Sequence, residues 1–460
     1  MLPIIVLSVL GIVTLFLGFA KSKAIQMPFA MFSVLLALIS NFVEWDQTLM
    51  YFGSFNNGMM NTDRVADAFT AIILASALMV IPLSEQYVKR LHSQPAEYFS
   101  IMIFSLVGAI MMVTYENLLM LFLGIEILSI SLYVLTGSNK RDLKGNEAAL
   151  KYLLMGSFAT GIMLFGVTLI YGASGSFSLP EIATYTELRA NTTSLMLLMG
   201  LILVVIGILF KLSAAPFHFW TPDVYEGAPT VFTAFMSTVV KTAGFAALWK
   251  LLSTCFPDIY SQWWPTVAAI AIISLVVGNV IATQQDSFKR MLAYSGISHA
   301  GYMLLAVAAM GKVSTMSILF YSISYSAATI AAFGVLIAVS AKRGSDNYDS
   351  FNGLATTDRT SAAVLTIAMC SLAGIPLTAG FFGKFFVFAA ALERGWVWLL
   401  VAAVLMSAVG IYYYFRVVIA MYMRPGSNEK IEMSGTFRLV LLVCTAVTLL
   451  LGVWPNVLGV

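Results

Sequence analysis

The sequence predicts an all-α polytopic membrane protein of about fourteen transmembrane helices, and three observations predict it. The chain of 460 residues is 60% hydrophobic and only 10% charged, and its mean hydropathy of +0.90 lies outside the range of a soluble domain this long. Apolar runs of about 20 residues, the length that crosses a bilayer, recur along the whole chain with short connections and no room for an extramembrane domain. Lys and Arg collect in alternate connections, as the positive-inside rule requires.

The spans begin, in chain order, near Leu2, Met27, Val65, Glu97, Asn117, Glu147, Ser194, Ala228, Trp264, Arg290, Ser314, Thr360, Trp396 and Phe437. One set of connections carries Lys21 and Lys23; Lys89 and Arg90; Lys140, Arg141 and Lys144; Lys289 and Arg290; Lys342, Arg343 and Arg359; then Arg424 and Lys430. The other carries little beyond Arg64, Arg189, Lys312 and Arg394. Both termini are therefore expected on the non-cytoplasmic side. The first apolar stretch has no basic leader and no clear small-residue cleavage site, so it reads as a retained helix.

The formal net charge of +3 is too small to suggest nucleic acid as a partner. Cys255, Cys370 and Cys444 stand alone in or beside apolar segments, without the spacing of iron–sulfur, haem or zinc ligands, and read as small hydrophobes. A glycine-rich dinucleotide fingerprint is also missing from the sequence. Any redox chemistry must then be done by a partner. The many Phe, Tyr and Met side chains read as lipid-facing packing.

Two apolar segments contain a proline: KLSAAPFHFW around Pro216 and SLAGIPLTAGFFGKF around Pro376. Proline removes a helical hydrogen bond and clashes one turn back, so a break is expected at each. Free backbone groups at membrane depth persist only when buried in protein or lining a hydrated cavity. In the order above these are the seventh and twelfth spans, an odd number apart, so they run in opposite directions. That is the pattern of an inverted-topology repeat, although two unrelated kinks would leave the same trace.

Charges inside spans cost roughly 2.5–3.5 kcal/mol each on insertion scales, so each needs a reason to be there. Lys241 has about ten apolar or small residues on either side and cannot reach an interface. Glu126 sits at the centre of its span with only Ser129 and Ser131 for polar company, so it must be paired or protonated, and Lys211 is the natural partner. Such a pair can act as a switch, because drawing the carboxylate away changes how readily the lysine gives up its proton; a static clamp between helices would look the same. Lys384 follows the Pro376 break and Gly383 and reads as a counterpart of the first-half lysines, with snorkelling as its alternative. Lys151 lies four residues after Glu147, where an ordinary helical ion pair also explains it. His218, beside the first break, and His299, within MLAYSGISHAGYMLL, suit either a proton relay or a hydrogen-bonded core position. His92, in a basic loop, reads as surface.

Three blocks then resemble one family. FKLSAAPFHFWTPDVYEGAPTVFTAFMSTVVKTAGF (210–245), QQDSFKRMLAYSGISHAGYMLL (284–305) and LAGIPLTAGFFGKFFVF (372–388) are similar, in that order, to the antiporter-like membrane subunits of respiratory complex I. The form PDVYEGAPT resembles the branch known as subunit N. Longer relatives, the L and M branches and sodium–proton antiporter subunits, usually have an alanine–histidine pair after the first proline. The resemblance implies two inverted five-helix bundles, residues 97–255 and 256–425, preceded by helices 1–3 in residues 1–96 and followed by a last helix in residues 426–460. It implies that Glu126 and Lys211 are the carboxylate–lysine pair of the first half-channel, Lys241 the central lysine, Lys384 the lysine of the second half-channel and Lys151 the sixth-span lysine. It implies a proton-pumping subunit that binds no cofactor itself, with NADH, FMN, iron–sulfur clusters and the main quinone site in other subunits. The implied partners are antiporter-like subunit M and small subunits K, J and A in a bacterial inner membrane. A cation–proton antiporter, a hydrogenase or ferredoxin-driven membrane complex, and a passive scaffold are the competing readings.

Overall fold

The structure, a computed structural model, describes residues 1–20, 22–45, 58–90, 95–426 and 429–458. Lys21 and His92 lie outside the described residues. Within them the chain is helical, without strands and with three isolated β-bridges.

Among the described residues there are 12 helices of at least 18 residues apolar enough to cross a membrane: Leu2–Phe19, Lys23–Glu44, Arg64–Leu83, Pro95–Thr114, Leu118–Thr136, Leu143–Ser174, Thr230–Cys255, Tyr260–Ala282, Phe288–Ala309, Ser314–Arg343, Val397–Met423 and Gly435–Val453. The two expected spans that carry the breaks are occupied by shorter apolar helices, Leu195–Lys211 and Arg359–Ala373. Side-chain caps set several starts. Asn117 accepts from the Leu119 amide at 2.9 Å, Ser194 from Leu197 at 3.2 Å, and Asp142 from Lys144 at 3.1 Å. Each satisfies an amide that has no helical partner. The Asp142 cap is why the sixth span starts at Leu143, one turn before the expected Glu147.

Both breaks fall where the prolines predict. Leu195–Lys211 gives way at Ser213, a non-glycine residue at φ 61°, and helix resumes at Trp220–Gly227. Arg359–Ala373 ends on Gly374 at φ 86°, passes Pro376 and Leu377 at φ 70°, and resumes as Ala379–Glu393. Positive φ at serine or leucine is costly and persists only where the surroundings enforce it. Proline alone does not make the break, since Pro82 and Pro265 are carried inside the helices Arg64–Leu83 and Tyr260–Ala282.

The chain folds as two compact units. The first comprises Met1–Ile81, Leu91–Ser213 and Val239–Thr266; the second comprises Pro82–Arg90, Ala214–Thr238 and Val267–Val460. Within the first, Leu143–Ser174 and Leu195–Lys211 pack backbone to backbone, and a Cβ on Gly166 would sit 2.7 Å from the Gly200 carbonyl oxygen. Small residues permit that approach, as expected where lipid offers no hydrophobic drive between helices. The helix Thr230–Cys255 is wholly buried along its apolar window, and Met236–Val240 within it form a π-turn. Such a turn inserts a residue and rotates everything after it, beginning with Lys241.

Candidate functional site

Lys211 is the last residue of its helix and is 3% exposed. A helix C-terminus favours a cation. Its Nζ donates to Tyr133 Oη at 3.2 Å and stands 5.3, 5.4 and 5.8 Å from the ring centres of Tyr133, Tyr152 and Phe210. The two tyrosines meet edge to face at 4.7 Å. Aromatic faces attract a cation, by about 2 kcal/mol or more once water is removed.

Glu126 lies two turns before Tyr133 on Leu118–Thr136 and is half-buried. It acts electrostatically on both Lys211 and Tyr133. The direct Glu126–Lys211 pair expected from sequence is not formed: among the described residues no ion pair joins them within 4 Å, and Tyr133 takes the contact. The helix periodicity explains this, because Glu126 and Tyr133, seven residues apart, share a face and Tyr133 is nearer to Lys211.

Lys241 is 2% exposed and opens the second α-helical part of its span, after Thr230–Phe235 and the π-turn. Lys151 is placed otherwise. Its Nζ meets Glu147 at 2.8 Å, one turn away, and the two side chains are 42% and 65% exposed. It stands outside the buried set. In the same unit, Lys250 pairs with Glu116 at 3.2 Å beside a cavity of about 160 Å³ that Asp63 and Trp249 also line. Sequence reading missed this pair because each member sits near a helix end, where charges are ordinary.

In the second unit, Lys384 is 6% exposed. Its Nζ donates to the Ala373 carbonyl and to Ser407 Oγ, both at 2.8 Å, and lies 4.9 Å from the Tyr302 ring centre. Ala373 ends the helix before the break, so the broken helix presents its carbonyl end to the ammonium. Gly374 serves twice: its φ suits glycine, and a Cβ would come within 2.9 Å of Lys384 Cδ.

His299 is 3% exposed. Nδ1 is 2.7 Å from Tyr321 Oη and Nε2 is 2.9 Å from Tyr414 Oη, with the Tyr325 ring at 4.8 Å. A neutral imidazole donates from one nitrogen and accepts at the other, so it can sit between two hydroxyls as a relay. His218 is buried in the turn after the first break, its ring 4.7 Å from that of Phe219.

The tyrosines overturn one expectation. Tyr133, Tyr152, Tyr302, Tyr321, Tyr325, Tyr413 and Tyr414 are buried in protein rather than facing lipid, whereas Phe16, Phe19, Phe158 and Phe165 are exposed. A buried phenol needs a polar partner and phenylalanine does not. Lys289 was also missed: read as a loop cation, it is 3% exposed and donates to the carbonyls of Glu226 at 3.0 Å and Ala228 at 2.7 Å. Those carbonyls belong to the PDVYEGAPT segment, distant in sequence, and no local signal marks the contact. Beside it Arg290 bridges Asp223 at 3.0 Å and Glu226 at 2.6 Å. No group of three or more His, Cys, Asp or Glu fit to hold a metal occurs among the described residues.

The arrangement is thus a set of amines, phenols and an imidazole held away from water, able to hold or exchange protons. The transmembrane family described as NADH:quinone oxidoreductase/Mrp antiporter matches residues 116–411. The NADH-quinone oxidoreductase subunit N of Trichlorobacter lovleyi is 40% identical over 99% of this chain and 94% of its own length. Among solved structures, a chain of respiratory complex I from Thermus thermophilus with bound aureothin is 32% identical, with a TM-score of 0.84 over 99% of this chain and 98% of that one. A chain of the membrane-bound sulfane sulfur reductase, an archaeal respiratory membrane complex, is 26% identical, with a TM-score of 0.89 over 99% and 95%.

Proposed function

The chain belongs to the family of NADH:quinone oxidoreductase and Mrp antiporter transmembrane subunits, and from that premise we propose that it is the antiporter-like subunit N of a proton-translocating NADH-quinone oxidoreductase. Its own part is non-redox: it moves protons while NADH oxidation and quinone reduction take place in other subunits. One observation carries this reading. Lys211, Lys241 and Lys384 are each no more than 6% exposed within apolar helices, an expensive placement that a merely structural role does not require.

The proton is taken up from the cytoplasm in the first half of the chain, held in turn by Lys211 and Lys241, passed to the His299 region and released near Lys384. At each lysine a neutral amine accepts a proton and the resulting ammonium donates it onward. Glu126 biases Lys211 through its field, with Tyr133 as the intermediary. A shift of that carboxylate, driven from a neighbouring subunit, changes how firmly Lys211 holds its proton. His218 and Lys151 flank this row as lesser relay positions. The two broken segments support an inverted repeat of five-helix bundles, and the basic connections support periplasmic termini in a bacterial inner membrane. Subunits M, K, J and A are the expected neighbours.

The test is Lys241→Ala in the assembled complex, in inverted membrane vesicles oxidising NADH. Proton uptake should fall about tenfold or more, equivalent to ~1.4 kcal/mol or more of lost coupling, with the subunit still inserted. Lys241→Arg should fail similarly, since arginine keeps the charge and does not release its proton. Undiminished pumping by assembled Lys241→Ala overturns the reading. The membrane arm of a different respiratory complex is the second reading, favoured by the TM-score of 0.89 to the sulfane sulfur reductase chain. Co-purifying subunits with NADH dehydrogenase activity decide between them.

A further inference from the structure

The second unit contains two clusters able to hold a proton, and the groups joining them are poor conductors. At one end, His299 bonds Tyr321 and Tyr414. The Tyr414 ring packs against that of Tyr413, centres 4.5 Å apart, and the Tyr413 hydroxyl donates to Asn279 Oδ1 at 2.9 Å. At the other end, Lys384 donates to Ser407, and Ser407 lies beside the Tyr302 hydroxyl. Asn279 stands beside that same hydroxyl. Asn279, Tyr302, Tyr413 and Tyr414 are each 1% exposed, so bulk water does not bridge them.

A hydroxyl or an imidazole passes a proton by accepting one hydrogen bond and donating another. Two members of the joint are set otherwise. Asn279 donates from Nδ2 to the Leu275 carbonyl at 2.8 Å and accepts at Oδ1, and a carboxamide hands a proton across only by becoming an imidic acid. The Tyr302 hydroxyl donates to the Ala403 carbonyl at 3.4 Å. That carbonyl is a dead end, having no proton to give. The bond is also long for an O–H donor, so little holds the phenol in this direction.

We propose that Asn279 and Tyr302 form an insulating gate between the His299 cluster and Lys384. In the closed arrangement seen here Asn279 holds the Tyr413 hydroxyl and Tyr302 points to Ala403. Turning Tyr302 away from Ala403 places its hydroxyl between Tyr413, with which it already interacts electrostatically, and Ser407. Tyr413, released from Asn279, then gives its proton to Tyr302 as Tyr302 gives its own to Ser407 and Ser407 its own to a neutral Lys384 amine, while a protonated His299 replenishes Tyr413 through Tyr414. The charge moves with the proton: His299 is left a neutral imidazole and Lys384 an ammonium. Asn279 acts as a positioning residue and insulator, Tyr302 as the moving contact. This inference rests on the proposal that the chain carries protons.

The experiment uses the assembled complex in vesicles. Asn279→Asp keeps the shape and adds a group that conducts; passive proton permeability of unenergised vesicles should rise several-fold, and protons pumped per NADH should fall while NADH oxidation continues. Tyr302→Phe should lose pumping about tenfold without any rise in permeability. A packing role alone predicts poorer assembly in both and a leak in neither. Wild-type permeability and pumping in assembled Asn279→Asp overturns the gate, as does normal pumping in Tyr302→Phe, which decides the matter should the aspartate variant not assemble. Lys241→Ala probes the underlying function separately. Impaired Lys241→Ala beside a silent Asn279→Asp removes the gate and leaves the pump.

Discussion

Lys211 in the first unit and Lys384 in the second are buried to similar depth and kept by different chemistry. Lys211 has one hydrogen bond of 3.2 Å and an aromatic enclosure, with a carboxylate acting from beyond ion-pair distance. Lys384 has two bonds of 2.8 Å, one to the carbonyl end of a broken helix and one to a serine. Rings and a remote charge hold an ammonium without fixing its direction, whereas a carbonyl and a hydroxyl fix it. Under the proposed function the first site is the one a distant signal would tune, and the second the one that would position a proton for transfer along hydroxyls.

The comparison is broken most severely at Lys384. Lys384→Gln keeps an amide donor, one bond shorter than the lysine, but carries no transferable proton, so assembled complex should pump about tenfold less, measured as acidification per NADH oxidised. Wild-type pumping by this variant reduces the difference between the two lysines to packing. A smaller effect is expected at Tyr133→Phe, which deletes the hydroxyl and keeps the ring. A typical hydrogen bond contributes about 1 kcal/mol net and a 3.2 Å bond no more than that, so pumping should fall by about fivefold or less. A loss as large as that of Lys384→Gln shows that Lys211, too, is held by direction rather than by rings. Lys151→Ala should cost least. Its exposed pair with Glu147 contributes about 0.3–0.5 kcal/mol, so thermal stability should stay near wild type, and pumping should fall less than in Tyr133→Phe.

Much of this was legible in the sequence because the bilayer restricts what an apolar chain can do. The 12 long apolar helices among the described residues begin close to where hydrophobic length places them, and the breaks fall beside Pro216 and Pro376, where a missing amide is joined by positive φ at Ser213 and Leu377. Lys211, Lys241 and Lys384 stand out because a charge in such a run is expensive. The partners were less legible. Glu126 and Lys211 are the only obvious opposite charges in their spans, yet Tyr133 intervenes, since helix phase and not charge decides which side chain arrives first. The tyrosines around His299 come from Phe288–Ala309, Ser314–Arg343 and Val397–Met423, and nothing local separates them from tyrosines at a lipid surface.

The amino-acid order by itself determined that the chain spans a membrane, where its helices lie, where two of them break and which amines are trapped inside, because hydrophobic length, backbone hydrogen bonding and desolvation act locally along a segment. Only the tertiary structure decided what each trapped group touches: rings for Lys211, a helix end and a serine for Lys384, two phenols for His299, two carbonyls for Lys289. Those partners arrive from residues far along the chain, and their meeting depends on helix rotation, close packing at small residues and a π-turn, none of which a linear pattern encodes.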